Sequence, residues 1–310
     1  MAESKSEKEL LGWTEGAEML EIGREKPMIR VIAEAAYSQV FSKRTARQLR
    51  MTLLIPATGT PKAAVLFFPG GGWLEAAKDR FAEVRWALAR AGFVVAAAEY
   101  RTIPCRFPAQ MVDAKAAVRF LRANASEFEI DPDRIGVLGN SAGGWLAEMT
   151  ALSSGKSEWD SPEWPGVPSS VSCCCALHPV SSLRGIAEGL SRDARDAHAT
   201  EAAPEALLAN GVAFTAPPKG LKEQLLQGSP IELLKDLKKK DIPPFLLVHG
   251  SSDRMVSPLQ SAKMFRALLE KDADARYVLL PGADHSSDTV WYQDSLNELI
   301  VSFFRKNLEA

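Results

Sequence analysis

Residues 138–145 read LGNSAGGW, a serine held between glycines where strand-forming residues give way to helix formers. Upstream, DPDRIGVLG over 131–139 gives a turn and then a buried strand; downstream, Ala142 to Leu152 reads as a helix. Strand, sharp turn and helix are the context in which G-x-S-x-G acquires a chemical meaning. Such a turn is strained, the glycines two residues either side of the serine let strand and helix approach, and the hydroxyl stands at the carboxyl end of the sheet. Ser141 is the candidate nucleophile. The N–H of Ala142, in the first helical turn, is a candidate donor to a developing oxyanion. The competing reading is a Gly-rich turn in a dinucleotide or phosphate site, but neither G-x-G-x-x-G nor G-x-x-x-x-G-K-[ST] is present in this stretch.

A serine hydroxyl is a poor nucleophile until a base takes its proton. The chain has four histidines, so each can be weighed. His285, in LLPGADHSSD, follows the last strand on a Gly-containing loop at the end of the sheet where the serine stands, and is the candidate base. His249, in LLVHG, closes an apolar strand and reads as structural. His198 falls in an irregular stretch and reads as solvated. His178, in ALHPV, ends a strand and could border the cleft, which makes it a substrate-binding candidate. The acid that orients the base should come from another strand end, between nucleophile and base in chain order. Asp253, in HGSSDRMVSP, meets that condition; Asp284 is adjacent to the base, and Asp288 is a rival close by in sequence. FFPGGGW over 67–73 offers the second part of an oxyanion hole, because Gly70, Gly71 and Gly72 give a backbone whose N–H groups can face inward without side-chain obstruction. Trp73 either walls the substrate cleft or packs. Trp145, on the helix after the serine, reads as packing beneath it.

Outward from these motifs the chain alternates strands with helices. ARQLRMTLLIPA puts Leu49, Met51, Leu53 and Ile55 on one side and predicts a half-buried strand stopped by Pro56. KAAVLFF, FVVAAAEYR, SSVSCCCALHP, PPFLLVHG and ARYVLLPG predict further strands. Helices are predicted over about 79–91, from Pro108 with a stripe of Met111, Ala114, Val118 and Leu121, near 258–271, and at the C-terminus through Leu296, Leu299, Ile300 and Phe303. Strands that are apolar throughout and alternate with helices imply a mostly parallel sheet covered on both faces. Residues 1–45 read as an N-terminal extension with the first elements, and 46–310 as one domain. About 182–235 break the rhythm and read as an insertion over one end of the sheet, with Phe214, Leu221 and Leu225 facing either the cleft or the insertion's own core.

With 310 residues, 46% apolar and 25% charged, the composition is that of an ordinary globular protein. A formal charge of −2 gives no general reason to expect nucleic acid or an anionic membrane as partner. The first 24 residues lack an apolar core like that of a signal peptide, and no run approaches the roughly 18 apolar residues of a membrane span. The sequence therefore predicts a soluble, cytoplasmic chain, a removed signal being compatible with it. Cys173, Cys174 and Cys175 are consecutive and, in a strand, point to alternate faces, so they do not converge on one metal. With Cys105 they are predicted to be small buried apolar residues in a reducing compartment.

GGGW, then YRTIPCRFPAQMVDAKAAVRFLRANASEFEIDPDRIGVLGNSAGGW over 100–145, then PPFLLVHGSSDRMVSP and PGADH, together resemble the α/β-hydrolase superfamily. Within it the chain is similar to the bacterial carboxylesterases that include feruloyl and acetyl-xylan esterases, near the hormone-sensitive-lipase-like esterases. The resemblance runs from about residue 46 to the C-terminus and weakens across 182–235. It implies Ser141 as nucleophile, Asp253 as acid, His285 as base, and Gly71, Gly72 and Ala142 as oxyanion donors, with the insertion as a helical cap. The family usually has histidine before the glycines where this chain has Pro69; the N–H of Trp73 could then replace one glycine. The expected activity is hydrolysis of a small-molecule ester, acyl, acetyl or hydroxycinnamoyl, without metal or cofactor. A peptidase of the same fold and a non-catalytic ligand-binding member are the alternatives, and a homo-oligomer is compatible with either.

Overall fold

The computed structural model describes residues 10–23, 25–41, 44–210, 221–286 and 289–309. Eight strands, β1 (Ile29–Phe41), β2 (Ala46–Pro56), β3 (Lys62–Phe68), β4 (Val94–Ala98), β5 (Ile130–Asn140), β6 (Cys174–Leu177), β7 (Phe245–Gly250) and β8 (Ala275–Leu280), form one sheet in the order β1-β2-β4-β3-β5-β6-β7-β8. From β4 through β8 every pair is parallel, while β1–β2 and β2–β4 are antiparallel. The chain crosses from β3 outward to β4 and returns to β5 on the other side of β3. Such a reversal of strand order opens a crevice at the carboxyl ends of the strands. This is the α/β-hydrolase fold.

Strand periodicity explains the two layers around the sheet. Along β3, Ala64, Leu66 and Phe68 face one way, into a core with α2 (Ala109–Ala123), α3 (Ala142–Leu152) and α8 (Leu259–Glu270). Ala63, Val65 and Phe67 face the other way, into a core with α1 (Ala82–Arg90) and α9 (Asp294–Leu308). The predicted stripe Met111, Ala114, Val118 and Leu121 on α2 is fully buried. The half-buried β2 of the sequence reading is buried on both faces beyond Met51, because Leu54 lies in the second core under α1. α1 begins at Ala82 rather than near Asp79, since Phe81 stands in the left-handed region (φ 52°). Cys173, Cys174 and Cys175 are buried and unbridged, whereas Cys105 is exposed on a loop.

The sequence reading left the first elements within residues 1–45 unspecified, and β1 is the strand among them. Residues read as an N-terminal extension form a 13-residue edge strand paired with β2, with register irregularities near Ala35 and Ser38. Of its residues only Tyr37 is buried, so the strand carries little of the apolar signal that identified the others. Among the described residues, no helix is long and apolar enough to cross a membrane.

After β6 come four short helices, α4 (Arg192–His198), α5 (Pro204–Asn210), α6 (Leu221–Gln227) and α7 (Pro230–Asp236). They do not form a separate core. Leu183, Ile186, Leu208 and Leu234 join the core that contains α3. Trp145 of α3 donates through Nε1 to the Gly228 carbonyl at 2.6 Å, and Ile231 N–H to that of Ser181 at 3.0 Å. Phe214 lies outside the described residues, as does the side chain of Leu221; Leu225 is half-buried against the same core.

Candidate active site

Ser141 sits between β5 and α3 with φ 53° and ψ −123°. A non-glycine residue rarely takes that backbone, and here two glycines make it fit. A Cβ on Gly139 would fall 2.0 Å from the Gly143 carbonyl oxygen, and one on Gly143 would fall 2.0 Å from that of Phe68. Either contact forces backbone to move. Ser141 N–H donates to the Leu177 carbonyl at 2.9 Å, which ties the turn to β6.

Ser141 Oγ lies 3.0 Å from Nε2 of His285, whose Nδ1 lies 2.6 Å from Oδ2 of Asp253. A carboxylate can only accept, so Nδ1 carries the proton and the lone pair of Nε2 faces the serine hydroxyl. The other oxygen of Asp253 accepts the N–H groups of Met255 (2.9 Å) and Val256 (2.8 Å). Burial works to raise the Asp253 pKa, but the hydrogen bonds from His249 and His285 outweigh it and hold the carboxyl far below the usual range. His249, fully buried, lies 3.3 Å from Asp253 through Nε2. The same nitrogen reaches the Val256 carbonyl at 3.1 Å, so it is a donor, and Nδ1 accepts from Ser261 Oγ at 2.7 Å. Asp284, the neighbour of His285 in the chain, faces its backbone. It accepts the backbone N–H of His285 (2.8 Å) and pairs with Arg254. Asp288 lies outside the described residues.

The Gly70–Gly72 loop is anchored from two sides. Gly70 N–H donates to Oδ1 of Asn140 at 2.9 Å, and Tyr100 O–H donates to the Pro69 carbonyl at 2.8 Å. The loop therefore holds its place with Pro69 where a histidine is usual. The Gly70 N–H is already engaged. Gly71 (φ 145°), Gly72 (φ 58°) and Trp73 (φ 58°) are all left-handed, and the two glycines line the same cleft as Ser141 and His285. As first residue of α3, Ala142 has no partner for its N–H within the helix. The Trp73 side chain corrects one expectation: at 2% exposure it packs edge-on against Trp145 (5.6 Å, 88°) and does not wall the cleft.

The cleft has a volume of about 540 Å³. Besides the backbone of the glycine loop and the Ser141–His285 pair, it is lined by Glu75, Arg80, Phe81, Met255 and Tyr292. None of these five carries a motif, and sequence reasoning missed them. Asn140, the second residue of G-x-S-x-G, was missed in the same way. No described residue of the insertion lines this cleft. A second cavity of about 490 Å³ lies within the insertion, bordered by Leu183, Arg195, His198, Glu205 and Leu225. The two regions meet where His198, predicted to be solvated, bonds Glu205 (2.8 Å) and the Met255 carbonyl (3.1 Å).

His178 needs a second correction. It is fully buried behind His285 and is not among the residues that line the cleft. Its ring centre is 4.3 Å from that of His285 and 4.4 Å from that of Trp291. Burial first, then the neighbouring His285 and His249, hold its pKa well below the ordinary histidine range. Among the described residues, no group of three or more His, Cys, Asp or Glu side chains is arranged to hold a metal ion.

Known proteins are similar to this chain in sequence or in fold. Esterase LipC of Mycobacterium tuberculosis is 28% identical over 232 residues, 74% of this chain and 54% of its own length. The isoprenylcysteine alpha-carbonyl methylesterase ICME of Arabidopsis thaliana is 28% identical over 283 residues, covering 85% of this chain and 61% of its own. The chain thus spans roughly half to three-fifths of these curated relatives. Among solved structures, a truncated carbohydrate esterase from gut microbiota superposes with a TM-score of 0.76 at 22% identity, over 93% of this chain and 99% of that one. The BD-FAE family model matches residues 51–268, a span that runs from β2 through Ser141 and Asp253 into α8, and the chain belongs to the BD-FAE family.

Proposed function

We propose that this protein is a serine carboxylic-ester hydrolase. The observation that carries the reading is the continuous path Ser141 Oγ, His285 Nε2, His285 Nδ1, Asp253 Oδ2, with steps of 3.0 and 2.6 Å across the hydrogen bonds. His285 takes the proton as Ser141 Oγ attacks the ester carbonyl, and Asp253 holds the tautomer and stabilises the imidazolium. Negative charge develops on the carbonyl oxygen, where N–H groups of Gly71, Gly72 and Ala142 receive it; one such donor typically lowers the barrier by roughly 2.7 to 4 kcal/mol. His285 then returns the proton to the leaving alcohol, and a water, activated by the same base, cleaves the acyl-enzyme.

Membership of the BD-FAE family and the esterase names of the relatives support ester chemistry. A cleft of about 540 Å³ suits a small-molecule ester. Within that class we favour short acyl groups, acetyl foremost, with hydroxycinnamoyl esters as a second candidate; the carbohydrate esterase among the structural neighbours is consistent with this choice. Residues 46–310 act as one catalytic unit, and the unbridged cysteines favour a reducing, cytoplasmic setting. The test is hydrolysis of chromogenic esters from acetyl to octanoyl, plus a hydroxycinnamoyl ester, by wild type and Ser141→Ala. We expect turnover by the wild type with an optimum at short chains, and a loss in kcat of about 10⁴-fold or more in the variant. Equal turnover by both proteins would show that Ser141 only fills a turn.

A further inference from the structure

We infer that His178 is a positioning residue for the base: its neutral ring holds the His285 ring from behind and stabilises the imidazolium formed when His285 takes the proton of Ser141. This rests on the reading of Ser141 and His285 given above.

His178 lies just past β6 with φ 37°, an unusual backbone for a residue that precedes proline, and its N–H donates to the Val248 carbonyl at 2.6 Å. Its ring meets that of His285 at 4.3 Å and 64°, and that of Trp291 at 4.4 Å and 74°. Trp291 in turn donates through Nε1 to the carbonyls of Asp284 (3.0 Å) and His285 (3.1 Å). One indole thus holds the backbone of the base and the ring that backs it. Neither nitrogen of His178 has a hydrogen-bond partner among the described residues, although the residue is fully buried. Leucine or phenylalanine would fill this space without that desolvation cost. Strain and an unsatisfied polar group at one position beside the reacting base are expected where function compensates for them.

The compensation follows from the change of charge during catalysis. A neutral imidazole offers a lone pair and a π face, and both interact better with an imidazolium than with a neutral ring. An interaction that strengthens only as His285 becomes charged lowers the barrier without tightening substrate binding. Little solvent screens it here. Because burial keeps His178 uncharged at neutral pH, it does not repel the charged base.

The other groups facing His285 are Asp253 at Nδ1, Ser141 at Nε2, and Asp284 at its backbone N–H, with Arg254 paired to Asp284. His249 lies 6.5 Å from His178, and Glu75 and Arg80 line the cleft in front. All of them remain when His178 alone is changed, so a shift in His285 reports on this contact.

The test compares the full-length wild type with His178→Phe and His178→Leu. Side-chain nitrogen NMR titrates His285 in the free protein, and kcat and KM are followed against pH with the best ester. We expect the His285 pKa and the acidic limb of kcat to fall by about half to one pH unit, more in Leu than in Phe. At the plateau kcat falls about 3- to 30-fold while KM stays within about twofold. An unchanged His285 titration in the leucine variant or, should that not fold, in His178→Met, which also lacks a ring, or a rise in KM with kcat intact, would overturn the inference. The titration needs no substrate, so it decides the matter even if Leu fails to fold. Absence of ester turnover by the wild type would defeat the hydrolase reading separately.

Discussion

The turn around Ser141 and the insertion after β6 are built on opposite terms. At the turn, backbone meets backbone: Gly139 and Gly143 leave no room for a methyl group, and Asn140 ties the turn to the glycine loop. The insertion is held by buried side chains such as Leu208 and Leu234, by the hydrogen bond from Trp145 to the Gly228 carbonyl, by the His198–Glu205 pair, and by backbone hydrogen bonds such as Phe107 N–H to Leu208 and Ser257 N–H to Ile186, which any residue but proline can make. Backbone packed against backbone at the turn admits no larger residue, whereas the contacts of the insertion can be exchanged one at a time. The contrast teaches that the invariable part of this molecule is the position of the hydroxyl, and that the insertion is adjustable.

The strongest way to break this contrast is Gly143→Ala. Its new methyl group would meet the Phe68 carbonyl oxygen at 2.0 Å and that of Pro69 at 2.6 Å, so we expect a loss exceeding about 4 kcal/mol, seen as poor soluble yield or a Tm lower by about 8 °C or more. A soluble variant with the wild-type Tm would mean that the turn is not rigid.

A smaller effect is expected from Glu148→Gln, in the same helix. Burial pushes the Glu148 carboxyl up to about 8, against the opposing hydrogen bond that Ser181 Oγ donates to it at 3.1 Å. The folded protein therefore holds this proton up to about pH 8, while the unfolded chain loses it near the ordinary value of 4.5. Glu148 costs nothing below 4.5, and the wild type loses stability progressively as pH rises from there to about 8. Glutamine mimics the protonated acid, so the two proteins should melt alike at about pH 4.5, with the variant ahead by a growing margin toward pH 8. Thermal melts that run parallel across that range would contradict the assignment.

The smallest effect is reserved for His198→Gln in the insertion. The hydrogen bond to Glu205 chiefly, with the charge of Glu205 and the Met255 carbonyl, raises the His198 pKa above 6.5 against a smaller opposing effect of burial. Its contribution is therefore complete below pH 6.5 and fades as pH rises through the folded value. We expect kcat/KM within about threefold of wild type, and a modest Tm deficit, on the order of 2–4 °C, that shrinks with rising pH. A tenfold loss of activity would show that the insertion steers the acid loop, and the contrast between the two regions would fail.

How far the sequence could be read follows the same division. The sheet's central strands were legible because each is an uninterrupted apolar run, and β5 passed into α3 at the residues the motif marked. Ser141, His285 and Asp253 could be picked out because only four histidines competed and Asp253 stood just past a strand end between serine and histidine, with Asp288 as its rival; the structure brings those three side chains together. β1 was not legible, since an edge strand with one buried residue lacks the pattern of a core strand. Nor could the cleft walls be read. Arg80, Phe81 and Tyr292 come from loops whose approach is set by tertiary packing, and the left-handed turn at Phe81 has no glycine to announce it. His178 misled for a related reason: the end of a strand indicates the right end of the sheet but not the depth of a ring.

The Asn140–Gly70 hydrogen bond has a mechanical consequence. Through it the turn that carries Ser141 and the glycine loop are tied directly to each other, at the ends of β3 and β5, which lie side by side. Changes in the side chains that line the crevice leave the place of that turn and loop as it is. The molecule thus separates a tolerant part from a calibrated one, and directed evolution for new substrates should find its gains among Arg80, Met255 and Tyr292 while leaving residues 139–143 untouched.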